Sequence, residues 1–157
     1  MESDQLELLQ SMPVFGGLNS ESLQFLMQRA SIQCIEKGDY FFHQGETAAS
    51  MFVLESGDVA VIRIQDDQQV LIRALSGGDC FGEMALLDLY PRSSSILATS
   101  RCRAIEIGQQ ALFALYEENL EQFTIVQMNI GREISRRLRL SDEKLFQYVL
   151  SEEAERG

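Results

Sequence analysis

The sequence predicts an α+β fold in which an antiparallel β-barrel or jelly roll follows short N-terminal helices and precedes a long C-terminal helix. Between Ser31 and Ile107, Gly-Asp, Gly-Glu or Asp-Asp turns interrupt short β-type runs every ten residues or so, the spacing of a sandwich or barrel. Outside that segment, apolar residues recur at helical spacing. The 157 residues are treated as one domain with N-terminal helices, a barrel and C-terminal helices at 1–30, 31–107 and 109–151.

The composition excludes several classes of protein. Apolar residues make up 45% of the chain, which is enough to form a folded core. The formal net charge of −11 disfavours bulk binding to nucleic acid or to an anionic membrane, because both require a basic surface. The N-terminus resembles no signal peptide, and no apolar run approaches the length of a bilayer span. We therefore expect no direct contact with nucleic acid or membrane.

Cysteine and histidine usage argues against a metal centre and against catalysis. Cys34, Cys80 and Cys102 are widely spaced and odd in number, which is typical of reduced, buried thiols in a cytoplasmic protein. With His43 as the single imidazole, the chain cannot form a standard zinc site, a cupin-type metal centre or a convincing nucleophile–base pair. We expect a protein that binds no metal and is not an enzyme.

The elements before and within the barrel follow from local patterns. Residues 4–12 are predicted to form a short helix, the segment "PVFGGL" forms a turn, and Asn19 or Ser20 caps a second helix, "SESLQFLMQRA". Seven or eight strands are expected up to Ile107. Residues 59–64 alternate like a strand, and "QDDQQ" is the polar tip of a hairpin.

After Gly108 the pattern becomes helical, with "QQALFALYEEN" as one helix and a long second helix that reaches about Ser151. Five residues of the long helix are spaced as an a/d seam: Ile134, Leu138, Ser141, Leu145 and Tyr148. This seam either packs on the chain's own barrel or contributes to a dimer contact, and both alternatives stay open. The basic run "REISRRLR" is interpreted as a solvated face.

The segment "FGEMALLDLYPRSSSI", residues 81–96, carries the chemistry of an anion site. Gly82 permits close approach to the backbone, and a short helix starting at Glu83 leaves the first amides unpaired at its positive end. Arg92 offers the bidentate donors that suit a phosphate. The alternative is a surface helix and loop with an incidental Glu83–Arg92 salt bridge. Residue chemistry alone proposes the anion site without identifying its ligand.

The same segment resembles the phosphate-binding cassette of cyclic nucleotide-binding domains, whose members carry Phe-Gly-Glu, a short apolar helix, then Pro-Arg and small residues. The upstream "GDYFFHQGE" and "MFVLESGDVAVI" are similar to the family's first strands, and "RRLRLSDEKL" is similar to its long C-terminal helix. The resemblance covers about residues 13–149. It implies a jelly roll of the double-stranded β-helix type that binds a cyclic nucleotide as a regulatory domain.

The resemblance also implies the role of each site residue. Glu83 would bind the ribose 2′-hydroxyl, and Arg92 the exocyclic phosphate oxygens. Gly82 and the amides of Met84 and Ala85 would lie along the ribose and phosphate, and Ser93 would reach the phosphate by its hydroxyl or its amide. Phe81, which precedes Gly82, is also expected in the ligand site. Ser94 stands near the base, where the family often has Ala, or Thr in many members that bind cyclic GMP. Ser departs from both, since its hydroxyl would serve a guanine amino group or be tolerated beside adenine. Cyclic AMP is favoured, and cyclic GMP stays open.

Two further pairs of residues are expected near the base. Ile72 and Arg73 match the strand that flanks the base in the family, although they also fit ordinary barrel packing and a solvated Arg. Ser141 and Asp142 match the part of the long helix that covers the base, although Ser141 also fits a coiled-coil seam.

The resemblance implies that binding moves the cassette helix toward the phosphate and repositions the C-terminal helix as a lid. The signal would reach a downstream effector domain or a partner protein, with a homodimer formed through the C-terminal helix. The alternative is a ligand-free interaction scaffold of the same fold. The presence of both Glu83 and Arg92 favours the binding domain.

Overall fold

The computed structural model describes residues 3–157, which form five α-helices, one short 3-10 helix and eight β-strands. The helices are α1 (Ser3–Gln10), the 3-10 helix (Pro13–Phe15), α2 (Ser20–Arg29), α3 (Glu83–Asp88), α4 (Gln109–Glu118) and α5 (Leu120–Arg156). The strands are β1 (Ser31–Ile35), β2 (Tyr40–Phe42), β3 (Ser50–Ser56), β4 (Asp58–Gln65), β5 (Gln68–Ser76), β6 (Cys80–Phe81), β7 (Ser95–Ala98) and β8 (Cys102–Gly108).

The eight strands form two antiparallel sheets of four strands, in the orders β1-β8-β3-β6 and β2-β7-β4-β5. Side chains from both sheets meet in a shared core that includes Phe42, Leu54 and Ile96. The sheets do not close into a barrel, because each keeps two edge strands. The predicted α+β fold is therefore confirmed in its jelly-roll form.

Strand β3 is buried on both faces, which explains its uninterrupted apolar run "MFVL". Successive side chains of a strand point to opposite faces. Phe52 and Leu54 lie between the two sheets, whereas Met51 and Val53 face a second core built with the helices. This second core joins α1, α2, α4 and the first half of α5 to the outer face of the β1-β8-β3-β6 sheet.

Side-chain amides fix the helices to one another. Asn19, one of the two predicted caps, caps α2, because its side chain accepts a 2.8 Å hydrogen bond from the Ser22 amide. The Asn19 amide in turn donates to the Gln122 side chain of α5 at 2.9 Å. Further along α5, buried Asn129 donates to the carbonyls of Val14 and Gly16 at 3.1 and 2.8 Å. These hydrogen bonds fix the N-terminal half of α5. They also pair backbone groups of residues 14–19 that would otherwise lack a partner.

The C-terminal half of α5 extends beyond the core. Ile134 packs against the helical core, but the seam positions Leu138, Leu145 and Tyr148 are 60%, 60% and 63% exposed. Seven large apolar side chains are exposed on this half: Leu138, Leu140, Leu145, Phe146, Tyr148, Val149 and Leu150. Packing on the chain's own domain therefore accounts for only the first position of the predicted seam.

Two of the three cysteines are buried, and the expectation of three buried thiols is wrong for Cys34. This residue lies on the edge strand β1, where it faces away from the core. Within residues 3–157, no helix combines the length and apolar character needed to cross a lipid bilayer.

Gly57 and Gly38 allow a matched test of packing at the turns. Both have a φ of +95°, but a Cβ at Gly57 would collide with the Arg101 carbonyl and with Cys102, whereas nothing lies within 4 Å of one at Gly38. We expect Gly38→Ala to lower the free energy of unfolding by about 1–2 kcal/mol through backbone strain. Gly57→Ala should cost about 1–3 kcal/mol more through overpacking. Urea denaturation measures both, and equal midpoints for the two variants would contradict the packing at Gly57.

Candidate functional site

A cavity of about 540 Å³ lies between β4, β5, α3, residues 90–96 and α5. Eleven of the twelve site residues predicted from the sequence line it: Ile72, Arg73, Phe81, Gly82, Glu83, Met84, Ala85, Arg92, Ser93, Ser94 and Ser141. Asp142 is exposed on α5 and is not among the residues that line the cavity. The structure thus brings together residues from the cassette, one strand and the long helix.

The cassette backbone turns sharply at Gly82 before α3 begins at Glu83. Gly82 has a φ of +78°, and a Cβ there would lie 2.6 Å from Nη1 of Arg92. Glycine is therefore required both by the left-handed backbone and by the close approach of the guanidinium. Helix α3 ends at Asp88 because Leu89 also has a positive φ of 60°.

The side chain of Arg92 is only 5% exposed and is held from three sides. Nη1 donates to the carbonyl of Gly82 at 3.0 Å, and Nη2 donates to the hydroxyl of Ser50 at 3.3 Å. The guanidinium carbon lies 4.0 Å above the centre of the Phe42 ring, a cation–π contact. The Nε atom is buried without a hydrogen bond. Arg92 therefore has a fixed orientation, and some of its N–H donors are not used by the described residues.

Burial and nearby carboxylates act on Arg92 in opposite directions. Burial lowers the pKa of its guanidinium. Three carboxylates oppose that shift: Glu106, Glu46 and Glu83. Since an arginine is protonated at any physiological pH, Arg92 remains a permanent cation in the cavity wall.

Aromatic rings form the support under Arg92. Phe52 and Phe81 are stacked at 5.3 Å with an angle of 12° between their planes, and Phe42 lies 5.9 Å from Phe52. Phe41 meets Phe81 edge to face at 5.0 Å. These contacts place a rigid apolar layer below the guanidinium, so that Arg92 cannot sink further into the domain.

The backbone of Arg92 is tied to the loop that follows β2. Its amide donates to the carbonyl of Glu46, and its carbonyl accepts from the amide of Gly45, each at 2.8 Å. The hydroxyl of Ser95 accepts from the amide of Gln44, also at 2.8 Å. The loop therefore fixes the end of the cassette by main-chain contacts that depend little on side-chain identity.

Glu83 pairs with Arg137 of α5, a residue that the sequence interpretation did not place in the site. Oε1 of Glu83 accepts from Nη1 of Arg137 at 2.9 Å, and the two residues are 5% and 9% exposed. Arg137 also donates through Nη2 to the carbonyl of Cys80. The incidental Glu83–Arg92 salt bridge is not among the ion pairs of residues 3–157. Oε2 of Glu83 receives no hydrogen bond from this part of the chain.

Arg137 belongs to the basic run that was interpreted as a solvated face, and for this residue the interpretation is wrong. Arg136 does project outward, where it pairs with Glu133 at 3.1 Å. Arg137 turns inward and lies 3.9 Å from Glu133 as well as beside Glu83. One signal was available in the sequence: Arg137 precedes Ser141 by four residues, which places both on one face of a helix.

The buried thiol next to this ion pair is chemically quiet. Burial raises the pKa of Cys80 to about 12, and the charge of Glu83 adds to the effect. The thiol therefore stays protonated, and it contributes packing rather than nucleophilic chemistry. In the part of the chain that the structure describes, His, Cys, Asp and Glu side chains form no group of three placed to hold a metal ion.

Three serine hydroxyls lie around the cavity. Ser94 is half-buried, whereas Ser93 and Ser141 are exposed. None of the three hydroxyls bonds to another residue among those described, so each is available as a donor or acceptor toward the cavity.

The comparisons with known proteins agree with this geometry. The family model of the cyclic nucleotide-binding domain matches residues 32–119, more than half of the chain. The cAMP-dependent protein kinase regulatory subunit of Hypocrea atroviridis is 32% identical over 103 residues, which are 66% of this chain and 21% of that protein. The cyclic AMP receptor protein of Thermus thermophilus is 29% identical over 134 residues, which are 85% of this chain and 60% of that protein.

A solved structure shows the same fold. The crystal structure of a cyclic nucleotide-binding domain from Methylobacillus flagellatus has a TM-score of 0.81 at 21% identity, over 91% of this chain and 81% of that chain. The chain spans 60% or less of the length of the two curated relatives named above. On its match to the family model, the chain belongs to the cyclic nucleotide-binding domain family.

Proposed function

We propose that this chain is a regulatory sensor domain that binds a cyclic nucleotide in the cavity. The observation that carries the proposal is that Arg92 and Glu83, both buried, face one cavity without pairing to each other. The guanidinium of Arg92 suits the exocyclic phosphate oxygens, and the free oxygen of Glu83 suits the ribose 2′-hydroxyl. The sugar-phosphate that these groups contact is common to cyclic AMP and cyclic GMP, so both fit.

The ion pair with Arg137 removes the main electrostatic objection to this arrangement. A carboxylate next to a phosphate should repel it. Because Arg137 lies 2.9 Å from Glu83, the pair is close to neutral, and Arg92 supplies the charge that the phosphate requires. The backbone amides of Met84 and Ala85, Gly82 and the Ser93 hydroxyl would complete the contacts.

The same ion pair connects the cassette to α5, so that a change at the ligand would reach this helix. Arg137 belongs to α5, whereas Glu83 and Cys80 belong to the cassette and the strand before it. A ligand that moves the cassette helix would therefore move the anchor of α5. Regulation requires two states that the ligand distinguishes, and α5 near to or far from the cassette would be those states.

We further propose that α5 carries the signal to a partner. Its exposed apolar half favours a homodimer formed through this helix, and a downstream effector domain or separate protein would respond. The cytoplasmic location expected from three unpaired cysteines stays a prediction, as does the absence of catalysis. The alternative, a ligand-free scaffold of the same fold, is disfavoured by the open cavity that Arg92 and Glu83 line.

The first test removes the phosphate partner. We expect Arg92→Ala to weaken cyclic nucleotide binding by about 2–5 kcal/mol, because the phosphate loses its buried partner. Isothermal titration calorimetry with cyclic AMP and cyclic GMP measures this loss. Because Arg92 also donates to the Gly82 carbonyl and the Ser50 hydroxyl, replacing it removes contacts that support the fold. Arg92→Lys, which keeps the charge, is therefore titrated in parallel, and thermal unfolding shows whether both variants are folded.

Arg101→Ala is the control, because Arg101 is exposed and outside the cavity. The Arg101→Ala protein should bind both nucleotides with the affinity of the wild type. Undiminished affinity in the Arg92→Ala protein, or no binding of either nucleotide to the wild type, would reject the proposed function.

A second test measures the coupling between Glu83 and Arg137. Each of Glu83→Gln and Arg137→Met should lower the free energy of unfolding by about 3–5 kcal/mol, because each leaves a buried charge without its partner. The double variant should lose clearly less than the sum. Urea denaturation provides the cycle. Arg101→Met is the control, since both members of the Arg101–Glu36 pair are exposed, at 78% and 67%, and its loss should cost under about 1 kcal/mol. Additive losses would exclude the coupling.

A third test concerns the dimer. Leu145→Glu should convert a dimer to a monomer, because it places a charge in the exposed apolar half of α5. Leu120→Glu is the control, since Leu120 is also exposed but lies at the opposite end of α5. Light scattering at several protein concentrations gives the masses. A wild type that is monomeric throughout would contradict the dimer.

A further inference from the structure

Helix α4 and the start of α5 present a group of large apolar side chains outside the helical core. Phe113, Tyr116 and Leu120 are each about half exposed. The rings of Phe113 and Tyr116 are stacked with 5.9 Å between their centres, and Tyr116 meets the ring of partly buried Phe123 edge to face at 5.3 Å. These four residues form the aromatic ridge. Because its rings already hold one another, little side-chain freedom is lost when a partner covers them.

The aromatic ridge is the outer side of α4. Leu112 and Leu115 hold the inner side of this helix in the core, whereas Phe113 and Tyr116, three residues apart, lie together on the other side. A second helix buries an apolar row of this spacing when two helices pack. No element among residues 3–157 covers the ridge in this way. Its exposure indicates an interaction surface.

The surroundings of the aromatic ridge are acidic. Residues 104–131 contain no Lys or Arg, whereas Glu117, Glu118 and Glu121 are all exposed there. None of these three carboxylates forms an ion pair with another residue of the described chain. Like charges left unpaired on one surface repel one another, and a cationic partner would relieve that repulsion.

A polar cavity of about 310 Å³ lies between α2 and the end of α4, and Leu115, the neighbour of Tyr116 in the chain, lines it. Glu21 of α2 and Glu118 of α4 also belong to its wall. The other polar residues of the wall are Ser22, Gln24, Gln28 and Asn119. The cavity therefore offers acceptor oxygens and two carboxylates, which suit an ammonium or guanidinium group.

The charge of the surface decides between the kinds of partner. A second copy of this chain is a poor occupant, because its net charge is −11 and a symmetric contact would place one acidic ridge against another. Nucleic acid and anionic lipid are repelled for the same reason. A partner that combines an apolar helix face with Lys or Arg side chains satisfies both the ridge and its acidic surroundings.

We propose that the aromatic ridge is a docking surface for a cationic amphipathic helix of a partner protein. The apolar face of that helix covers the ridge, and its basic side chains pair with the exposed carboxylates and with Glu21 and Glu118 in the polar cavity. This inference goes beyond the proposed function. It does not require a bound nucleotide, because the ridge is not part of the wall of the nucleotide cavity.

An NMR titration of the ¹⁵N-labelled full chain tests the proposal, with the helical peptide LKKLLKLLKKLLKL as the probe. The largest changes in amide shift should fall within residues 113–123, and raising the salt concentration to about 0.5 M should weaken binding. The peptide LEELLELLEELLEL, which has the same apolar face and the opposite charge, should not bind.

Substitutions then locate the contact. Phe113→Ala and Tyr116→Ala should each weaken peptide binding about tenfold or more, because buried aromatic side chains carry much of the affinity of an interface. Glu117→Lys, which alters an exposed side chain only, should weaken binding and reduce its salt dependence. Phe146→Ala and Glu153→Lys make the matched changes at exposed positions on the far half of α5 and should leave the affinity unchanged.

Three outcomes would overturn the docking surface. The first is a wild type that does not bind the basic peptide, and the second is a set of shift changes centred outside residues 113–123. The third is an affinity that Phe146→Ala lowers as much as Phe113→Ala does, since the peptide would then bind the exposed half of α5 as well. None of these outcomes affects the proposed function, which the Arg92→Ala titrations with cyclic nucleotides test separately.

Discussion

The arrangement of this site depends on the ion pair between Glu83 and Arg137. A buried carboxylate is costly by itself, and it is more costly beside a second anion. Arg137 neutralises it from α5, at 2.9 Å and with both side chains almost fully enclosed. Because the two residues belong to different elements, the contact that makes the carboxylate tolerable also closes the cavity on its helical side. The charge balance of the cavity therefore depends on the position of α5.

The jelly roll supports the other charge in the site. Arg92 lies on an aromatic layer contributed by β2, β3 and β6, and its backbone is held by the loop after β2. Strand β3 carries this layer on one face and the helical core on the other. The guanidinium thus has little freedom to lose when it meets an anion, which is the condition for a preorganised contact.

Local sequence patterns predicted much of the fold and of the site. The features that they missed depend on contacts between residues far apart in the sequence. Turn spacing indicated the strands, Asn19 was one of the two predicted caps of α2, and eleven of the twelve predicted site residues line the cavity. Arg137 was misjudged because a basic run is ordinarily solvated, and only the docking of α5 on the cassette turns one of its members inward. Ile72 of β5 has no partner on β4, because Arg73 pairs with Val61 and Leu71 with Ile62, and this β-bulge has no sequence signature either.

Helix α5 is continuous from Leu120 to Arg156, and its contact with the cassette lies near its middle, at Arg137. At 1.5 Å per residue, roughly 28 Å of helix extends beyond that contact. A bend of about 10° at Arg137 would therefore move the far end of α5 by about 5 Å while the packed N-terminal half stays in place. A change at the cassette that leaves the helical core undisturbed would then displace the far end of α5 by several ångströms.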